Sequence, residues 1–317
     1  MCGAPAVLAA VPVIDGDGER HAHGYVRAES PLAWLLDHAP VERAGALPNA
    51  ITLREGRPVS RLHLLEIAEQ PWCPRAVRDG LTDYLAFVVD RGRAYAAAVP
   101  LLARALDATR PSVSAPAAVV DLASGAGGPW KALAAELAEL DVPVRVCLTD
   151  LHPNADAYAR LAAESGGAVA GRAEPVPADA VPPALYGFRT MFSAFHHFAP
   201  AAARRVLADA AARGAGIAVF EATRRDVRAV VLTLLTPLLV LLATPFIRPF
   251  RWSRLLWTYV VPAIPLVVLF DGVVSCLRTY TPDELRALAA GIDGLRWEAG
   301  EAGSGPVPVT YLLGTTP

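Results

Sequence analysis

The segment Val119–Trp130, VVDLASGAGGPW, ends a short apolar run in an acid, turns through Gly125, Gly127 and Gly128, and opens at once into a helix-forming stretch. Glycines there permit positive φ and let a ligand approach the backbone. The free N–H groups of a helix start favour an anionic group. A second acid, Asp150, closes the next apolar run 22 residues after Gly128. A carboxylate at that distance, at the tip of a neighbouring strand, can accept from ribose hydroxyls. Two further groups sit at run ends: His196 and His197, after FSAF, and Glu221, after IAVF. An imidazole titrates near neutrality and can take a proton from a hydroxyl or amine. Glu221 suits a base or a cation stabiliser, or else a salt bridge to Arg224 or Arg225. The histidines have a plainer alternative in packing and backbone hydrogen bonds.

These residues need an α/β scaffold, and the chain patterns one. Residues 1–28 read as a peripheral tail, and QPWCP, ending at Pro74, as a breaker. The stretch from Arg75 to about residue 106 reads as one or two helices, with Pro100 kinking or splitting it. From about residue 116, apolar runs alternate with helical patterns: AAVVDLA, PWKALAAELAEL, VRVCLTD, HPNADAYARLAAES, GAVAGRA, YGFRTMFSAF, PAAARRVLADAAAR and GIAVFEAT. This alternation implies a doubly wound sheet with right-handed crossovers. Thr281-Pro282 with acids behind it is a helix start, and LRWEAGEAG with VPVTYLLGT forms a closing antiparallel pair.

The spacing D-x-A-x-G-x-G-G resembles motif I of the class I S-adenosylmethionine-dependent methyltransferases, usually D/E-x-G-x-G-x-G. LTDLHPNADAY resembles their acidic second strand, GRAEPVP the segment lining adenine, and FSAFHHF the end of the fourth strand. EQPWCP and DGVVSCLRTYTPDEL resemble segments of a bacterial small-molecule methyltransferase subgroup. The resemblance covers about residues 75–317. It implies a Rossmann-like core at 75–226 and 278–317, an N-terminal extension or lid at 1–74, and an apolar helical insertion at 227–277. It also implies S-adenosylmethionine as cofactor. Asp121 would lie near the methionine ammonium, with Ala123, Ser124, Gly125 and Gly127 along the ribose and methionine part. Asp150 and Leu151 would hold the ribose, Ala173 and Glu174 the adenine side, and Ser193 the end of the fourth strand. Trp72, Tyr84, Trp257 and Tyr280, with His63, would border the acceptor, and His196, His197 and Glu221 would handle its proton. Two positions depart from the pattern: Ala123 replaces the first glycine, and Arg172 stands where an acid near adenine is usual. The implied reaction is methyl transfer to O, N or C of a hydrophobic small molecule. Alternatives are a repurposed reaction in the same pocket, such as a cyclisation, and a membrane-associated binding module without catalysis.

The chain is 54% hydrophobic with a formal net charge of −2, so no global field favours nucleic acid or anionic lipid. Cys2, Cys73, Cys147 and Cys276 form no CxxC pair, and His21 and His23 lack a third ligand, so neither a metal site nor a disulfide framework is expected. Scattered thiols and an N-terminus without a basic leader suit the cytoplasm. The apolar excess lies in 227–277, where Ala229–Ile247 would span about 28 Å as one helix. Pro237, Pro245, Pro262 and Pro265, and a domain continuing on both sides, argue against a spanning hairpin. The open roles are a lid over a greasy acceptor, a homodimer contact, and a peripheral membrane contact with arginines at head groups and Trp252, Trp257 and Tyr259 at the interface. Asp271 and Arg278 are a candidate pair at the block's end.

Overall fold

The computed structural model describes residues 60–110, 112, 115–303 and 308–317, all within the contact unit Val41–Pro317. His21, His23 and Cys2 lie outside the described residues. Two helices, α1 (Arg75–Gly92) and α2 (Val99–Asp107), precede a sheet of seven strands. These are β1 (Ala117–Asp121), β2 (Val144–Leu148), β3 (Val169–Gly171), β4 (Phe188–Phe192), β5 (Ile217–Glu221), β6 (Arg296–Ala302) and β7 (Val309–Thr315). Their spatial order is β3-β2-β1-β4-β5-β7-β6. The first five run parallel, and β7 lies antiparallel between β5 and β6, with Thr310 opposite Glu221. This is a Rossmann-like doubly wound sheet, the fold class expected from the alternation of elements. The five residues of β5 are all buried, as a strand covered on both faces requires.

The crossover helices are α3 (Trp130–Glu139), α4 (Ala155–Glu164) and α5 (Pro200–Ala212). Local chemistry sets their starts. The Asn154 side chain accepts from the Ala157 amide at 3.2 Å and begins α4. The helix α10, named in chain order after the insertion below, runs Pro282–Ala289 and opens with a reciprocal capping box between Thr281 and Glu284. Pro100 neither kinks nor splits a helix. The break falls earlier, where α1 ends at Gly92 and Arg93 turns left-handed before a 3₁₀ turn at Ala96–Ala98. Pro100 then sits in the first turn of α2, where its missing N–H costs nothing.

The insertion is helical: α6 (Val227–Thr233), α7 (Thr236–Ala243), a 3₁₀ turn Thr244–Phe246, α8 (Trp252–Leu255), a π turn Leu256–Val260 and α9 (Ala263–Arg278). Its inner side packs on α1 through Val77, Leu81 and Tyr84 against Val240, Ile264 and Val268. The approach is close enough that a Cβ at Gly80 would lie 2.5 Å from Ile264 Cδ1. Asp83 of α1 and Arg254 of α8, each side chain 3% exposed, pair at 2.5 Å. Arg251 reaches Asp156 of α4 at 2.9 Å. A cavity of about 310 Å³ lies at this seam, lined by Arg75, Asp79, Asp83, Arg251 and Arg254 among others.

Candidate functional site

The sheet brings the ends of β1, β2, β4 and β5 to one edge, and its strand order reverses between β1 and β4, where ligands of such sheets bind. The glycine turn occupies that switch point. Ala123, Gly125, Gly127 and Gly128 adopt φ of +52°, +55°, +101° and +50°. Ala123 therefore takes a left-handed conformation that a glycine would take without strain. At Gly127 the φ of +101° favours glycine, and a Cβ there would also push aside the Leu161 side-chain end, 2.1 Å away.

Hydrogen bonds sew the turn to the neighbouring strand end. Ser124 Oγ donates to the Asp121 carbonyl at 3.0 Å and accepts from the Thr149 amide at 3.1 Å. Asp150 takes one amide on each oxygen: Gly125 N–H at 2.8 Å on Oδ2 and His152 N–H at 2.7 Å on Oδ1. A carboxylate oxygen has two lone-pair directions, so each retains one for a ligand hydroxyl. Asp121 is 1% exposed, and its Oδ1 accepts from Thr190 Oγ1 at 2.6 Å. Burial pushes its carboxyl up to about 6, against the Thr190 hydrogen bond and the nearby Ser124 and Trp130 donors, which favour the ionised form. Two buried donors at the turn have no protein partner, Trp130 Nε1 and Tyr158 Oη. Burial, then Asp150 and Asp121, raise the Tyr158 phenol. Above the turn lies α1: a Cβ at Gly125 would meet Thr82 Cγ2 at 3.7 Å. An open carboxylate, a turn that needs glycine and orphaned donors together fit an adenosyl cofactor.

The other residues expected here fall into two groups. Leu151, beside Asp150, is 55% exposed. Ala173 and Glu174 lie exposed on the loop after β3. Arg172 pairs with Glu174 at 3.2 Å. Ser193 is held at φ +43°, its Oγ accepting from Tyr95 Oη at 2.6 Å and from the Ala222 amide at 3.0 Å, which ties the ends of β4 and β5 together.

A second cluster stands at the ends of β4 and β5. Glu221, 1% exposed, accepts the Phe195 amide at 2.7 Å on Oε1, and His196 Nδ1 lies 2.7 Å from Oε2. Burial drives the Glu221 carboxyl upward, but the His196 imidazole overrides this and holds it below the usual range. His196 is 2% exposed, and its Nε2 has no hydrogen-bond partner, facing Glu66 Oε1 at 3.8 Å. His197 stacks beside it, ring centroids 4.3 Å apart, with Nδ1 2.5 Å from Glu69 Oε1. Burial opposes a proton on His197, but Glu66 and Glu69 outweigh it and raise its pKa. Glu69 is held down at about 2: burial works against this, and the His197 contact and Arg278 overcome it. Glu66, His196 and His197 present donor atoms within 4.8 Å of one another, a spacing open to a metal ion. Arg278, however, already pairs with Glu66 at 3.2 Å and Glu69 at 3.1 Å, so a guanidinium meets the carboxylate charge.

Several pairings differ from the sequence reading. Glu221 binds His196, whereas Arg224 pairs with Asp226 and Glu301, and Arg225 with Glu284. Asp271 and Arg278 do not pair. Asp271 caps the Ile67 and Ala68 amides at 2.7 and 2.9 Å, and Arg278 turns to Glu66 and Glu69. Tyr280 and Tyr84, both 3% exposed, belong to core packing, and the Tyr280 hydroxyl donates to Phe198 O at 2.7 Å under the Arg61 guanidinium. Trp257 packs partly buried against the seam between α1 and the insertion, and Trp72 is 49% exposed. Burial, then Arg278 and Arg61, push the half-buried His63 down to about 4. Sequence reasoning passed over Glu66, Glu69 and Arg61, and gave Arg278 the wrong partner. The available signal was two acids three apart in HLLEIAEQ, a segment otherwise apolar.

Solved structures of similar fold include an O-methyltransferase family 2 protein from Planctomyces limnophilus DSM 3776 in complex with apigenin. It is 15% identical, over 79% of this chain and 67% of that one, with a TM-score of 0.45. Magnesium protoporphyrin IX methyltransferase from Synechocystis PCC 6803, with bound SAM, is 10% identical over 72% of this chain and 82% of that one, TM-score 0.39. A pericyclic reaction enzyme is 17% identical over 67% and 47% respectively, TM-score 0.39. No protein-family model and no curated protein matches the sequence.

Proposed function

We propose that the chain binds S-adenosylmethionine and transfers its methyl group to an oxygen, nitrogen or carbon of a hydrophobic small molecule. The observation that carries this reading is the Asp150 carboxylate, held by the Gly125 and His152 amides beside a positive-φ turn at the sheet's switch point. Asp150 would accept from the ribose, Asp121 would face the methionine ammonium, and Gly125 and Gly127 would let the backbone approach. Bound there, the cofactor supplies a methyl group already activated on a sulfonium, so the protein's work is position and charge.

The chain's own contribution to proton handling is the His196–Glu221 pair. Glu221 fixes the imidazole orientation through Nδ1, and Nε2, without a protein partner, is the atom that takes the acceptor's proton. His197, drawn toward protonation by Glu66 and Glu69, contributes positive charge beside it. An apolar acceptor suits the apolar cluster that joins α1, above the glycine turn, to the insertion.

Methyl-labelled S-adenosylmethionine, incubated with a panel of lipophilic phenols, amines and prenyl compounds, tests the reading. Label should enter the organic phase with equimolar S-adenosylhomocysteine. His196→Gln should cut turnover by roughly 10²–10⁴-fold with cofactor affinity unchanged. Cofactor binding without any S-adenosylhomocysteine formed across the panel contradicts methyl transfer.

A further inference from the structure

From Val227 to Phe270 the sequence holds four arginines, Arg228, Arg248, Arg251 and Arg254, and no acid. Within this stretch Val227–Phe246 forms a 20-residue helical run of mean hydropathy 2.2, of which only 17% is buried. At 100° per residue, Val227, Val231, Leu232, Leu234, Leu235, Leu238, Leu239, Leu241, Leu242 and Phe246 cover about half of the helix circumference, and each is 36–69% exposed. The helices packed beside it continue the surface: Leu256, Tyr259, Val260, Leu266 and Phe270 are 46–73% exposed, and Trp252 is 78% exposed. Folded proteins rarely leave patches beyond a few hundred Å² uncovered.

Two anchors decide how the run can lie. At its start Arg224 pairs with Glu301 of β6 at 3.0 Å. Beyond its end Arg251 pairs with Asp156 of α4, and Arg254 with Asp83 of α1. A helix tethered to the domain at both ends lies along it and cannot stand away from it. The run has the length to cross a bilayer, about 30 Å, but its packing on α9 and the holds at both ends set it along the domain's surface.

We propose that this face seats the protein on an anionic bilayer surface, with α6, α7 and the outer side of α9 sunk into one leaflet. The occupant is a membrane because the exposed arc, broken only by Arg228 near its start, continues over α8 and α9 with aromatic side chains beside it and no acid anywhere in the stretch. The leaflet is anionic because the stretch carries only cations, with Arg228 and Arg248 exposed at either end of the run. Trp252 and Tyr259 take the aromatic positions typical of the interface. This proposal stands apart from the reading of the reaction: it requires no cofactor and no acceptor.

Flotation of the full chain with phosphatidylcholine vesicles, with and without phosphatidylglycerol, tests it. The protein should float with both, more completely with phosphatidylglycerol, and added salt should erase the difference. Leu238→Ser combined with Leu242→Ser, at positions 56% and 60% exposed, should weaken partitioning about tenfold or more with the thermal midpoint unchanged. Arg248→Glu should remove only the preference for phosphatidylglycerol. Protein that stays at the bottom with both vesicles overturns the proposal, as does flotation equal in the serine variant. A soluble dimer that the serine pair converts to monomer, and that vesicles do not dissociate, assigns the face to a second copy instead.

Discussion

At the glycine turn, the buried Asp121 carboxyl carries a pH signature in the neutral range. Burial sets its carboxyl at about 6, above the roughly 3.9 of an exposed aspartate. The native state therefore holds this proton more tightly than the unfolded chain. Its contribution to stability grows as pH falls through about 6 and is lost as pH rises past it. Binding of a cationic cofactor runs the other way, because only the ionised carboxylate attracts an ammonium. Affinity for S-adenosylmethionine should therefore drop as pH falls through about 6, and Asp121→Asn should bind weakly with that step absent. A flat affinity from pH 5 to 8 in the unaltered protein would remove Asp121 from the ligand's neighbourhood. Ala123 offers a second test at the same turn. Its φ of +52° costs an L-residue about 1–2 kcal/mol, and glycine's freedom in the unfolded chain offsets about 0.4–1 kcal/mol of the relief. Ala123→Gly should leave stability equal or raise it by up to about 1.6 kcal/mol in denaturant melts, against the usual direction of such a change. A loss of stability would mean the turn does not need a left-handed residue there. Asp121, the glycines and Asp150 were readable from sequence because their relation is local: strand end, turn, next strand end. Thr190 on Asp121 and the orphaned Tyr158 hydroxyl were not, since those contacts form only when separate strands and helices pack.

At the scale of elements, α1 and the insertion act as one layered cover. Asp83 and Arg254 meet in a seam where both are 3% exposed, so removing Asp83 leaves a buried guanidinium without its charge partner. Asp83→Ala should cost about 3–5 kcal/mol, or loosen α1 and α8 together as faster amide exchange confined to those helices. Exchange unchanged in both would show that the apolar packing alone holds the cover. The strands, crossover helices and closing antiparallel pair were legible because periodicity and caps are written locally, as Asn154 and Thr281 show. The break before α2 was misplaced to Pro100, because a proline in a helix's first turn and one that breaks a helix look alike in sequence. The partners of Glu221, Asp271 and Arg278 were not legible either. Glu66 and Arg278 are 212 residues apart in sequence, and no local pattern joins positions so distant.

Among the described residues, the sheet gathers the candidate site at one edge, with a helix over the turn and an apolar layer packed on that helix. The charge balance of the inner cluster, three glutamates against Arg278 and two histidines, keeps a polar site under an apolar cover. All of this rests on the glycine turn and Asp150 being a cofactor seat. Calorimetric titration of S-adenosylmethionine into the unaltered chain and into Asp150→Ala tests that most directly. The expected result is one site per chain, weakened by about 1–3 kcal/mol, or roughly 5–150-fold, in the variant. A folded chain that takes up no S-adenosylmethionine, or a folded variant that binds it as tightly as the parent, would contradict it.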